Sequence, residues 1–331
     1  MTPHFLAPAS PSGLPQVPRP SFSVLIPAYN ASATIGEAVA SALEQTLPAH
    51  EVIVVDDGST DDLDEALAPY RERILLLYKE NGGGATALNQ AAISASGDFV
   101  VVLDSDDVYL PERIEAIAEF AAARPDLDIL STDAYFERDA RVVGRMYEHR
   151  AFPVAGQRRS ILDWCFLFAP AVRRKRLIEI GGWDEHLRIA YDWDCWLRLI
   201  LTGSSAGIVD APLIRYRLVG GSLSDARARS LRERVTVLDK TVQRDDLTAD
   251  ERTYVVARRV DALRRALVAE AHEAVELGYP DARRKALSLA TSWHVPVGLR
   301  VRALAATVAP ELARRYLGRS GSGIKERFPP A

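Results

Sequence analysis

Cysteine is scarce: Cys165 and Cys195 are the only two in 331 residues. Two cysteines cannot make the disulfide framework of a small secreted domain, and neither sits in a CxxC pair or a cluster with metal-ligand spacing. Each neighbours an aromatic residue, so both are expected to be buried thiols in a reducing, cytoplasmic setting. Long hydrophobic runs are missing too, and nothing approaches the ~20 apolar residues of a membrane-spanning helix. The N-terminus lacks a secretory pattern. Residues 1–20 are rich in proline and hold one arginine, and they are expected to form a disordered leader. A GxGxxG fingerprint is absent as well. Gly82-Gly83-Gly84 is followed by Ala85 and Ala87 and comes after the third apolar run rather than the first, which argues against a dinucleotide fold. It reads as a flexible turn.

What remains is an ordinary globular composition, 48% hydrophobic and 26% charged, long enough for one large domain and an appendage. The net charge of −4 is unevenly spread. Residues 225–331 carry 21 Lys+Arg against 14 Asp+Glu, and the rest carries 20 against 31. The acidic part would repel nucleic acid, so no nucleic-acid partner is expected. The basic tail is either a set of solvated helix faces or a surface for a homo-oligomer or for peripheral contact with an anionic membrane, at its inner face.

The first part alternates. Apolar runs at Phe22–Pro27, Glu51–Val55, Ile74–Tyr78 and Asp98–Leu103 predict buried strands. Between them lie helical stretches at Thr34–Gln45, with Thr34 as N-cap, at Leu63–Arg71 and at Ala85–Ala95. Strand-helix alternation at this spacing predicts an α/β fold, with a Rossmann-like, mainly parallel sheet flanked by helices and ligands bound beyond the strands' carboxyl ends. Further on, a helix from Pro111 to Ala123 and strands at Ile129–Phe136 and Val142–Tyr147 are predicted. Helices at Arg173–Ile180 and Tyr191–Leu201 follow, then short strands at Ile208–Val209 and Leu213–Tyr216. The predicted layout is a leader (1–20), an α/β domain (21–224) and an α-helical region (225–331) with helices near 225–243, 249–277, 280–292 and 297–317.

The fourth strand runs into Asp104-Ser105-Asp106. Two carboxylates one residue apart at a bend can face one ligand, and their oxygens suit a hard divalent cation, Mg²⁺ or Mn²⁺, able to bridge two phosphates. The plain alternative is that these acids cap the helix opened by Pro111. On the predicted helix Tyr191–Leu201, Asp192 and Asp194 point about 200° apart and cannot share a pocket. Asp194 is four residues before Arg198, the spacing of a structural ion pair, which leaves Asp192 for a site. Trp193 and Trp196 are expected in the core. Trp183, outside the helix, is the better candidate to stack on a ligand.

The segments FSVLIPAYN (22–30), VIVVDDGSTD (52–61), GDFVVVLDSDDVYLP (97–111) and GGWDEHLRIAYDWDCWLR (181–198) resemble, in order and spacing, the motifs of family 2 glycosyltransferases of GT-A fold. The resemblance spans residues 21–220. It implies that Pro27, Tyr29 and Asn30 line a nucleotide base pocket, that Asp57 accepts a hydrogen bond from the base, and that Asp104 lies near ribose and metal. It further implies Asp106 as metal ligand, Asp192 as general base, Arg217 near the diphosphate, and Trp183 and Asp184 near the acceptor. The implied activity is inverting transfer of one sugar from a sugar nucleotide, UDP-linked by preference, to a glycan, lipid-linked or protein-bound acceptor. Rival readings are a nucleotidyltransferase, which would want a basic glycine-rich loop where Ala28–Gly36 has no Lys or Arg, and a non-catalytic sugar-nucleotide or glycan-binding module. The chain departs from the family at Leu88, where arginine is common, and at Tyr191, where an acid is usual. It departs again at Leu218-Val219-Gly220-Gly221, which lacks a histidine that often contacts metal or diphosphate. The signature of processive synthases is absent, which favours single addition.

Overall fold

Runs of branched apolar residues form the centre of the fold, because a strand covered on both faces has no polar side to show. The computed structural model describes residues 4–8, 18–218 and 227–308. The chain divides into two compact units, residues 1–219 and 220–331. The first opens with β1 (Phe5–Leu6), then alternates β2 (Phe22–Ala28), α1 (Ile35–Leu43), β3 (Glu51–Asp56), α2 (Leu63–Leu67), β4 (Leu75–Tyr78), α3 (Gly84–Ser94) and β5 (Phe99–Val102). It continues through β6 (Val108–Tyr109), α4 (Arg113–Ala123), β7 (Ile129–Arg138), β8 (Arg141–Arg145), α5 (Gln157–Asp163), β9 (Ala171–Arg173), α6 (Arg174–Glu179), α7 (Tyr191–Leu201) and β10 (Ala206–Arg217). Among the described residues these strands make one ten-stranded sheet ordered β1-β10-β7-β9-β5-β2-β3-β4, with β6 against β10 and β8 against β7.

β5, β2, β3 and β4 run parallel, so their carboxyl ends lie along one edge. Val24, Leu25, Ile26, Ile53, Val54, Val55 and Val101 are fully buried. α1 covers one face with Ile35, Ala38, Val39 and Ala42, each 0% exposed, at the three-four spacing of a single helical stripe. Thr34 makes no capping bond to this helix; its hydroxyl turns back to the Ala31 carbonyl.

The sheet is mixed rather than simply parallel. β9 enters antiparallel between β5 and β7, three residues long and too short to announce itself in the sequence. The two strands predicted near 208 and 216 are one strand, β10, bulged on either side of Pro212. Residues 4–8 correct the expected disorder of the leader. Phe5 pairs with Val209 and Leu6 with Ile208, the Asp210 amide donates to the His4 carbonyl, and Phe5 stacks on Phe120. These backbone bonds are long-range, so composition could not report them.

The second unit is helical: α8 (Arg227–Val242), α9 (Ala249–Leu277), α10 (Ala282–Thr291) and α11 (Val297–Val308). A capping box, Thr248 with Glu251, opens α9 and Gly278 at φ +70° closes it. Arg232 on α8 makes a two-pronged bond to Glu270 on α9, at 2.7 and 2.6 Å. The predicted last helix is described only to Val308. Among the described residues no helix is long and apolar enough to cross a membrane.

Candidate active site

The parallel strands deliver their loops to one edge in register. Ala28 pairs with Asp56, Asp56 pairs with Tyr78, and the Leu103 amide continues the ladder to the Leu25 carbonyl. Beyond β2, Tyr29 is half exposed and its ring is open to a ligand, while Pro27 is partly buried at the strand end. Asn30 adopts a left-handed backbone at φ +49°. Its side-chain oxygen takes the Thr60 amide at 2.8 Å and its own amide donates to Ser59 Oγ. Asn30 thus anchors the loop after β3.

That loop carries Asp57, which is 2% exposed. Its Oδ1 accepts from Lys79 Nζ at 2.5 Å and from the Gly82 amide at 2.9 Å, and its Oδ2 accepts from the Gly83 amide at 2.6 Å. A carboxylate offers about four lone-pair positions, so Oδ2 retains room for one more donor. The glycine run is therefore a fixed strap rather than a flexible turn. Gly83 sits at φ +93°, and a Cβ there would overlap Arg188 Nη1, whose guanidinium donates to the Gly82 carbonyl. Gly83→Ala should destabilise the fold by about 1–3 kcal/mol, the usual range for a strained left-handed residue, and disturb the bond from its amide to Asp57. Chemical denaturation would register the loss. Lys79 and Arg188 went unnoticed in the sequence because nothing local links either to Asp57.

At the end of β5 the chain turns tightly, the Asp107 amide bonding the Asp104 carbonyl at 3.0 Å. Asp107 is buried and accepts the Arg217 amide at 3.0 Å, which clips the end of β10 to this turn. Burial pushes Asp107 well above the usual carboxylate range, helped by the charge of Asp104. Burial also raises Asp106, while its own amide and the Arg217 charge pull the other way. Asp104 is pushed up to about 7, first by burial and then by the charges of Asp192 and Asp106. Among the described residues no protein donor reaches the Asp104 carboxylate. The charges of Asp192 and Asp106 both act on Asp104, so carboxylates from two distant segments lie close to it. Arg217 borders this cluster, with its side chain paired to Glu37.

Asp192 stands in the first turn of α7. Burial raises its carboxyl to about 6, against the lowering effect of one hydrogen bond, from Trp183 Nε1 to Oδ1 at 3.0 Å. Trp183 itself is 2% exposed and packs edge-on against Trp196. This corrects its expected role: a ring with no open face cannot stack on a sugar, and it holds Asp192 instead. Asn89 on α3 grips the Trp183 backbone from both sides, accepting its N–H and donating to its C=O, each at 2.9 Å. Asp194 and Arg198 form the predicted pair at 2.8 Å. Arg198 goes on to donate to the carbonyls of Ile180 and Gly182, tying α7 to the turn that presents Trp183. Asp184 lies on that turn, where its Oδ1 accepts the His186 amide at 2.9 Å. Trp193 and Trp196 are in the core, as expected.

The Tyr191 hydroxyl lies over Gly84, the first residue of α3. Burial pushes it well above its ordinary value, reinforced by Asp192, Asp104 and Asp106. Of Leu218-Val219-Gly220-Gly221, all but Leu218 lie outside the described residues. Among the described residues no group of three or more His, Cys, Asp and Glu is arranged to hold a metal with protein atoms alone.

Residues 23–180 match the model of glycosyl transferase family 2. A relative in Rickettsia prowazekii, described as an uncharacterized glycosyltransferase, is 30% identical over 226 residues, covering 65% of this chain and 69% of its own. The chain spans 60% and 69% of the lengths of two Rickettsia relatives it matches. Among solved structures, S. aureus TarS in complex with UDP-GlcNAc aligns at TM-score 0.60 and 20% identity, over 91% of this chain and 92% of that one. The mannosyltransferase PcManGT of Pyrobaculum calidifontis, in complex with GDP-Man and Mn²⁺, aligns at TM-score 0.56 and 21% identity, over 94% and 90%. With its GT-A-type sheet and this match of sequence, the chain belongs to glycosyltransferase family 2.

Proposed function

We propose that the protein is an inverting glycosyltransferase that moves one sugar from a nucleoside-diphosphate sugar, UDP-linked by preference, to a hydroxyl of a glycan, lipid-linked or protein-bound acceptor. The observation that carries the reading is the convergence of Asp192 with Asp104 and Asp106 at the carboxyl edge of the sheet. Membership of the family supports it, as do the sugar-nucleotide complexes of TarS and PcManGT.

In this reading the base lies against Tyr29, with the Asp57 strap beneath it and Asp104 towards the ribose. A divalent cation fits the turn, because Asp104 and Asp106 are partly buried carboxylates that repel each other and lack enough protein donors to offset that repulsion. Held by Asp106 and Asp104, it would neutralise charge on the leaving diphosphate. Arg217 borders the same space and can exchange Glu37 for a phosphate oxygen. Asp192 Oδ2 accepts the proton of the acceptor hydroxyl as that oxygen forms its bond to the anomeric carbon. The carbon–oxygen bond to the diphosphate breaks on the opposite face, and the nucleoside diphosphate leaves with the electron pair. Trp183, by occupying Oδ1, fixes the carboxylate with Oδ2 outward. Asp184, on the same turn as Trp183, remains a candidate for contact with the acceptor.

Thermal unfolding tests the donor class. Saturating UDP with Mn²⁺ should raise Tm by several degrees, since ligand at a hundred times its Kd stabilises by about 2.7 kcal/mol. UDP without the cation should raise it less. If no nucleoside diphosphate moves Tm with or without Mn²⁺, the reading fails.

A further inference from the structure

The basic excess of the helical unit is concentrated. Residues 225–277 carry 11 Lys+Arg and 11 Asp+Glu, so they are neutral, whereas residues 278–331 carry 10 against 3. α11 falls in the charged segment and is apolar on two sides. One side packs inward, where Ala303 joins Leu267, Leu289 and Val295. The other faces water with Val297, Val301, Leu304 and Val308, at 70%, 62%, 54% and 77% exposure. Their spacing of four, three and four places them in one stripe along the helix. Trp293, 79% exposed, precedes the first of them by four residues. Arg302 on α11 and Arg283 and Arg284 on α10 are exposed as well.

A line of aliphatic side chains with a tryptophan at its head, in a segment of net positive charge, suits the boundary between headgroups and acyl chains. Charge decides between the two surfaces that could cover it. A second copy would bring the same positive segment against itself, a like-charge approach that costs free energy. An anionic bilayer attracts it, by about fivefold in partitioning for each basic residue near the surface. We propose that α11 and Trp293 dock on an anionic lipid bilayer, the stripe entering the headgroup boundary and the net positive charge of the segment, Arg283 and Arg302 included, drawing it to the surface. The proposal is independent of the transfer chemistry, and either can fail alone.

Sedimentation of the full-length protein with phosphatidylcholine vesicles, with and without phosphatidylglycerol, tests it. Binding is expected on the phosphatidylglycerol vesicles, weakening as salt rises, and not on phosphatidylcholine alone. Val301→Gln/Leu304→Gln changes only exposed positions and should lower binding at least about tenfold, since it removes buried apolar surface from the lipid contact. Arg283→Gln/Arg302→Gln should lower it by a similar factor. Circular dichroism should be unchanged for both. Three results would overturn the proposal: no binding to anionic vesicles, equal binding to neutral ones, or full binding by either variant. So would a wild-type dimer in analytical ultracentrifugation that the Val301/Leu304 variant dissociates, which would make the stripe an interface between copies.

Discussion

Asp192→Asn is expected to lower kcat by about a thousandfold, within the range supplied by a positioned general base, while UDP binding stays near the wild-type value. Asparagine keeps the shape and can still accept from Trp183 Nε1, so the loss isolates the proton-accepting oxygen. The wild-type pH profile should carry the same mark. A base must be ionised to act, so kcat falls as pH drops through about 6, the value to which burial raises this carboxyl. Trp183→Phe removes the one hydrogen bond that favours the charged form. The acidic limb should then move to higher pH, with little change in KM for the donor. Stability runs the other way. A carboxyl whose pKa is raised by folding contributes most while protonated, and that contribution is lost as pH rises through about 6. The move from 3.8 to about 6 corresponds to about 3 kcal/mol. The asparagine variant should therefore melt several degrees higher than wild type above pH 7 and lose that advantage near pH 4. A variant that retains full turnover would remove Asp192 from the chemistry.

Asp106→Asn should lower kcat/KM by at least about a hundredfold, since a cation at a leaving diphosphate contributes several kcal/mol. The deficit should shrink as Mn²⁺ is raised, because Asp104 remains as a weaker ligand. The rise in Tm that UDP and Mn²⁺ cause together should fall towards that of UDP alone. Asp107→Asn is the control: asparagine can still accept the Arg217 amide that anchors the turn, so this variant should keep the metal dependence of the wild type. An Asp106 variant as active as wild type, with both insensitive to a chelator, would rule out the metal.

The sequence announced β2, β3, β4 and β5 because each is a short apolar run between polar turns; burial on both faces demands that composition of β2, β3 and β5, while β4 at the sheet edge is partly exposed. It announced the acidic turn at Asp104–Asp107 and the Asp194–Arg198 pair because both are local, within one loop or one helical turn. What it withheld depends on contacts between distant segments. β9 is three residues whose pairing partners lie far away in sequence. The strap over Asp57 needs Lys79 and two backbone amides about 25 residues on. Trp183 was misassigned for the same reason. Its place outside the helix suggested an open aromatic face, and nothing near it in sequence records that Asn89 grips its backbone or that its indole meets Asp192.

The short strand β1 has a consequence for handling the protein. β10 is covered on its outer side by two small pieces, β1 at Ile208–Val209 and β6 at Ile214–Arg215. Without the first, a stretch of unpaired N–H and C=O groups would be open to pairing with another molecule, the usual route to edge-to-edge aggregation. A polypeptide trimmed to residue 21 to discard an apparent leader would also discard that cover, along with the Phe5 ring on Phe120. A chain trimmed in this way is therefore expected to aggregate more readily than one that keeps Phe5 and Leu6.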